Sequence, residues 1–564
     1  MTDPSANRTQ TRRTVLQGAA GMLTAFGMPA GIARAATDSG RHVPFPLPLS
    51  EPVPFSREGL IAQVRALAAK PYTAPPKVPQ AWRDLTYDQY RRIEFKHDSA
   101  VWYDGADGMA LEFMPPGLYF EEAVEIFVGD GDGAMRQVVF DPRAFRFRSG
   151  VPDLPVDETV GFSGIRLLGT HTLGAPRSEF AVFQGASYFR AIGWGQTYGL
   201  SARGLALGTA SEEGEEFPAF RKFYIEDASD KTTTMRVHAV LDGPSVAGLY
   251  TFEIAHPHDF GDSRLRATVM DVRANLFPRR DLSVVGIAPL TSMYLFGPTT
   301  PARFDDFRPA VHDSQGLLMD NGAGERLWRP LANPGALQVS SFVDENPRGF
   351  GLVQRERDFA AYQDLEANYH DRPSLWVAPR GDWGRGAVTL VEIPADREIF
   401  DNIVAFWRPR EPLAAGAEHE LAYELRWGAQ SGPESWRIHP WSSQKDLPVA
   451  ATRIGARPSF GTQAKPGRLV VIDYGRGRGE VLPDTEGQLG PAESWREWLD
   501  SVDVHVSSNG APVSKGIVQR NRETGSVRLA FHFDPGTRTS VELRAQLMRQ
   551  GRRISEVWLY RWTP

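Results

Sequence analysis

The chain has no cysteine among its 564 residues. Disulfides, thiolate metal sites and a cysteine nucleophile are therefore excluded. Long hydrophobic runs are missing as well. The one weakly apolar stretch, residues 15–32, is broken by Gly and Pro and is too short to span a bilayer. Nor is there an excess of positive charge. With 63 Lys and Arg against 69 Asp and Glu, the formal net charge is −6, which gives no electrostatic reason to expect nucleic acid or an anionic membrane as partner. G-x-S-x-G, H-E-x-x-H, the P-loop and the dinucleotide fingerprint are all absent. No cofactor and no metal are implied.

What is present describes a β-rich protein. The length calls for a large domain plus a smaller one. Gly (54) and Pro (43) punctuate the chain often enough to favour many short strands over long helices. Fourteen Trp fit either sugar stacking or ordinary core filling.

The N-terminus reads TRRTVLQGAAGMLTAFGMPAGIARAATDSG, with Arg12 and Arg13 ahead of the apolar stretch and Ala33-Arg34-Ala35 as a cleavage site. This pattern predicts a twin-arginine signal peptide over 1–35 and a periplasmic mature protein.

Downstream, FSREGLIAQVRALAAKPY is the clearest helix. Ser56 can cap it, Phe55 can pack on Leu60, and Pro71 stops it. From about residue 95, period-two segments dominate. TTTMRVHAVLDGPSVAGLYTFEIAH has the look of a hairpin with Asp242-Gly243 at the turn, and GAVTLVEIP and NIVAFW resemble buried core strands. The pattern lapses around 438–467, then resumes as a shorter all-β segment. The predicted organisation is all-β: a large sandwich over 36–440, a linker over 441–465 and an immunoglobulin-like sandwich over 466–564.

Few residues carry evident chemistry. His256-Pro257-His258 with Asp259 and Asp262 reads as a loop, since no further ligand group stands at suggestive spacing, and GRGRG at 475–479 reads as a basic turn. What remains is carboxylates and aromatics. PAVHDSQGL carries His312 and Asp313. QRERDFAAYQDLEANYHDRPSLWVAP, taken alone, reads as a solvated helix laced with ion pairs. In REIFDNIVAFW, Asp401 stands at the head of an apolar run, where a turn role would suffice to explain it. Two carboxylates flanking a sugar bond suffice for glycoside hydrolysis, but spacing does not choose the pair.

Several of these stretches together carry a resemblance. GASYFRA (185–191), YGLSARGLA (198–206), GIAPLTSMY (286–294), DENPRGFGLVQRERDF (344–359), YQDLE (362–366), RPSLWVAP (372–379) and FDNIVAFW (400–407) resemble the periplasmic glucan biosynthesis proteins, types G and D. The match is strong over about 40–435 and returns at SEVWLYRW (555–562), while the twin-arginine signal resembles type D. The resemblance implies a galactose-mutarotase-like sandwich followed by an immunoglobulin-like domain. It implies hydrolysis or transglycosylation of β-1,2-glucan with anomeric inversion, in the setting of inner-membrane glucan synthesis. By the same resemblance Asp401 is the general acid, Asp313 the general base and Tyr369 a relay or substrate contact. Tyr362, Arg372, Trp376 and Trp383 are then expected along the glucan. An acid at the mouth of an apolar strand is partly desolvated, which raises its pKa as proton donation near neutral pH requires. Two other readings compete: a non-catalytic glucan-binding protein, and an aldose epimerase, for which no His–Glu pair stands out.

Overall fold

The computed structural model describes residues 46–102, 109–131, 133–169, 177–227, 234–257, 266–300, 305–429, 446–455, 467–475, 495–521 and 524–564. The signal segment, residues 258–262 of the His-Pro-His loop and nearly all of GRGRG lie outside them.

Two large sheets face each other. One has 16 strands and the other 10. Alternation along each strand builds the layer between them. Phe252, Ile254, Met270 and Val272 of the larger sheet and Phe183, Phe189, Ala202, Leu290, Ala405 and Trp407 of the smaller belong to one apolar cluster. The fold is thus an all-β sandwich.

The predicted helix forms over Arg57–Ala68. Its first turn is closed by Gly59 N–H donating to Ser56 Oγ at 3.1 Å. Leu60 and Val64 bury it on the larger sheet against Val240, Leu249 and Phe277, with Phe55 packed alongside. The predicted hairpin also forms, as Thr234–Gly243 and Val246–Ala255, but Asp242 pairs with Ala247 and Gly243 with Val246. The turn is therefore Pro244-Ser245, two residues beyond the expected Asp-Gly.

Two departures matter for the site. Residues 354–379 do not form a solvated helix. They make two 3₁₀ turns, Phe359–Ala361 and Tyr369–Asp371, and then the strand Ser374–Arg380. Gln363 (φ 59°) and Asn368 (φ 48°) take left-handed conformations that break any helix, and the carboxylates of Asp358 and Asp364 accept backbone N–H groups that a helix would have used. Tyr362 and Tyr369 are buried.

The second departure concerns the C-terminal segment. Val449–Gly455, inside the expected linker, is a strand. It pairs with Arg468–Tyr474 in a four-stranded sheet completed by Ser526–Phe533 and Ile517–Asn521. The strands Val502–Ser508, Val541–Arg549 and Val557–Trp562 form the facing layer, and an apolar cluster around Phe531, Trp558 and Val541 fills the space between. This layer is not separate from the large sandwich: Leu327 and Trp328 pair in parallel with Val557 and Trp558, which makes it an extension of the 16-stranded sheet. Arg355 and Glu556, both nearly inaccessible, add a buried ion pair at 3.0 Å across the junction.

Candidate active site

The site is assembled on a short bracket of backbone, Ser292 to Tyr294. Asn402 N–H donates to Ser292 C=O at 3.1 Å, and Asp313 N–H donates to Met293 C=O at 2.9 Å. Asn402 then locks its own end. Its side-chain oxygen accepts from Tyr294 N–H at 2.8 Å, and its amide donates to Tyr294 C=O and Ile393 C=O at 3.0 Å each. Ser292 Oγ donates to Ser314 Oγ at 2.8 Å. Asp401 and Asp313, 88 positions apart by their numbers, are thereby held from one three-residue segment.

Both carboxylates are sealed, Asp401 at 3% and Asp313 at 1% exposure. Burial of a charge is costly, so each pKa moves up. Asp401 is pushed to about 7: loss of hydration dominates, Arg190 opposes it, and the charge on Asp313 adds to it. Asp313 is also raised by burial, and Arg372 opposes that through an ion pair with its Oδ1. The two acids thus differ in kind. One keeps its proton up to about pH 7, and the other has a guanidinium partner that favours the anion.

Arg372 is set in place by its neighbours. Nε donates to Ala367 C=O at 3.1 Å, and the guanidinium lies 4.3 Å from the centre of the Tyr369 ring. Gly199 lies against its stem; a Cβ there would come within 3.0 Å of Arg372 Cβ. Tyr369 donates its hydroxyl to Glu398 Oε2 at 3.0 Å, and Glu398 in turn pairs with Arg308 at 2.8 Å. Arg308 also holds Asp364 and Asp306, each at 2.7 Å. Gln354, fully buried, donates to the backbone carbonyls of His312 and Tyr369 and so ties the Asp313 segment to the Tyr369 turn. His312 stacks on Tyr294, and burial lowers its pKa to about 4, so it stands beside Asp313 as a neutral ring.

The other wall is the face of the 10-stranded sheet turned away from the core. Tyr188 and Arg190 of Tyr188–Ala191 and Arg203 of Ser201–Arg203 alternate with the core residues Phe189 and Ala202. Arg203 is engaged, with Glu215 at 2.6 Å and Thr291 Oγ1 at 3.0 Å. Arg190 Nη2 stands 3.9 Å from Asp401 Oδ2.

Of the expected site residues, Asp401, Asp313, Arg372 and Tyr369 come together. Tyr362 packs behind them, its ring centre 6.0 Å from that of Tyr369. Two do not join them. Trp383 sits in the main core against Trp407 and Tyr423, its N–H donated to Ala422 C=O. Trp376 packs on the C-terminal cluster, over Gly349 and Gly351. Both belong to the expectation that tryptophan marks sugar contacts; here Trp383 fills a core and Trp376, half-buried, packs against one. Arg190, Arg203, Asn402 and Glu398 were not singled out. Arg190 and Arg203 had a readable signal, a basic residue inside an otherwise fully buried strand. Among the described residues no group of three or more His, Cys, Asp or Glu side chains could hold a metal ion, and no helix is long and apolar enough to cross a membrane.

Comparison with known proteins bears on this arrangement. The family described as "Periplasmic glucan biosynthesis protein, MdoG" matches residues 55–562. "Glucans biosynthesis protein G" of Vibrio cholerae is 46% identical over 518 residues, covering 90% of this chain and 87% of the relative. The protein of the same name from Shewanella baltica is 42% identical over 511 residues with the same coverage. These relatives carry the G designation, whereas the twin-arginine cue toward type D lies outside the described residues. Among solved structures, the α-galactosidase AgaA of Geobacillus stearothermophilus aligns at a TM-score of 0.22 and 13% identity, over 58% of this chain and 41% of that one, a likeness too slight to bear on fold or function.

Proposed function

The chain belongs to the periplasmic glucan biosynthesis protein family, and from that premise we propose that it is an anomer-inverting glycoside hydrolase or transglycosylase acting on the β-1,2-linked backbone of a periplasmic glucan. The observation that carries this reading is the unequal pair: Asp401, buried and raised to about 7, beside Asp313, held by Arg372. Asp401 donates its proton to the glycosidic oxygen as the bond to the anomeric carbon breaks. Asp313, through the carboxylate oxygen that Arg372 does not occupy, takes a proton from the attacking water or sugar hydroxyl on the opposite face. Tyr369, its hydroxyl fixed on Glu398, stands beside Arg372 and serves as a relay when the nucleophile is not in direct reach of Asp313. The enzyme acts after export to the periplasm, alongside the inner-membrane machinery that makes the glucan.

The test is incubation of the purified protein with linear β-1,2-glucan, with chain-length analysis and polarimetry of the released ends. Cleavage or chain transfer with inversion is expected, and Asp401→Asn and Asp313→Asn should each lose about 10²–10⁴-fold in turnover. Wild-type turnover in Asp401→Asn would overturn the assignment.

A further inference from the structure

Arg190 is 5% exposed, and its Nε and Nη2 make no hydrogen bond. Facing it, Asp401 Oδ2 is equally unpartnered and equally sealed. The 3.9 Å between Nη2 and Oδ2 is too long for a hydrogen bond. Leaving charged donors and a carboxylate oxygen without a protein partner in a buried site is expensive, and such orphaned groups ask for a reason. The surrounding charges sharpen the question. Arg203 is committed to Glu215, and Arg372 to Asp313. Asp313 disfavours the Asp401 anion, while Arg203 and Arg372, each held by its own carboxylate, favour it less than Arg190 does. Arg190 is thus the guanidinium near Asp401 that has not been spent on another carboxylate.

We infer that Arg190 is a positioning residue that waits for the Asp401 anion, closing onto Oδ2 as the proton leaves. This rests on the general-acid reading of Asp401. In that step the O–H bond of Asp401 breaks, its proton goes to the glycosidic oxygen, and the bonding electrons stay on the carboxylate. Negative charge therefore appears on Asp401 in the transition state and is absent in the ground state. A donor that is unbonded before the step and bonded after it stabilises the transition state selectively. A pre-formed Arg190–Asp401 pair would have done the opposite, since it would have ionised the acid before it could act.

The experiment uses Arg190→Met, which removes the charge at similar bulk, and Arg190→Lys, which restores it and serves alone if the first does not fold. Two quantities are read. The first is the pH at which Asp401 ionises, followed without substrate as the pH-dependent stability difference between each variant and its Asp401→Asn double variant. The second is turnover of linear β-1,2-glucan against pH. In Arg190→Met the ionisation should move upward by roughly one to three pH units. The kcat should fall by about 10²–10³-fold, the loss typical of one preorganised donor, with KM little changed. Arg190→Lys should recover part of both. An unmoved ionisation overturns the inference whatever happens to turnover. A moved ionisation with wild-type kcat overturns the role of Arg190 in the transition state, while the general-acid reading falls only if Asp401→Asn keeps wild-type turnover, so the two failures are told apart.

Discussion

Replacing Asp401 by Asn should change the pH dependence of stability in a way that needs no substrate to observe. The folded-state pKa of Asp401, about 7, lies above its ordinary value of 3.8. The native state therefore holds this proton more tightly than the unfolded chain does. The stability that this proton supplies is fully present below about pH 4 and is lost as pH rises through 7. A gap of roughly three pH units at about 1.36 kcal/mol each gives a ceiling of ~4 kcal/mol. Asn is isosteric with the neutral acid and does not titrate, so the variant escapes this loss. Urea unfolding followed by tryptophan fluorescence, run on both proteins from pH 4 to pH 8.5, gives the difference directly. The variant should gain on the wild type steadily above pH 5 and level off above pH 8. Other titrating groups are common to both proteins and cancel to first order. A difference that stays flat within about 1 kcal/mol, or one in which the wild type gains as pH rises, would show that Asp401 is already ionised in the folded protein, and the general-acid argument would fall with it.

Three further outcomes follow from contacts described above. Arg372→Met removes the cation that favours the Asp313 anion, so the acid limb of the kcat/KM–pH profile should move to higher pH by roughly one to three units, as measured on linear glucan. Trp383→Ala should cost about 3–5 kcal/mol in unfolding free energy by leaving a cavity beside Trp407, while glucan affinity of the folded fraction stays unchanged; a selective loss of affinity would return Trp383 to the binding site. Arg355→Met strands Glu556 without its partner at the junction of the two sandwiches, and should destabilise by about 3–5 kcal/mol in the same unfolding assay.

Much of this arrangement was legible in the sequence, and the reasons it was or was not are physical. The Arg57–Ala68 helix announced itself because cap, apolar stripe and terminating Pro71 are local. Asp401 at the head of Ile403–Trp407 reads as a turn from the residues alone and stands out only through the family resemblance, but the burial expected of a carboxylate abutting an apolar strand is what the structure shows. Residues 354–379 misled because acidic and basic residues at short spacing look alike whether they line a solvated helix or cap successive turns; left-handed Gln363 and Asn368 decide the matter and leave little trace in sequence. Trp376 and Trp383 misled because an indole fills a core as readily as it stacks on a sugar. The 3.9 Å between Arg190 and Asp401 lies beyond any reading of the chain, since it depends on Asn402 and the Ser292–Tyr294 bracket bringing distant strands together.

The parallel pairing of Val557–Trp562 with Arg326–Pro330 also bears on how the polypeptide acquires its structure. Around this seam, Arg553 donates to Gly324 across 229 residues of sequence. Contacts so distant along the chain are among the slowest to form, because loop closure must precede any gain. During synthesis the Arg326–Pro330 edge waits for Val557–Trp562, made long after it, before it is paired. Until then it offers an open strand edge, a template for intermolecular pairing. A chain that lacks Val557–Trp562 leaves this seam unsealed, so aggregation and proteolysis should fall most heavily on that intermediate.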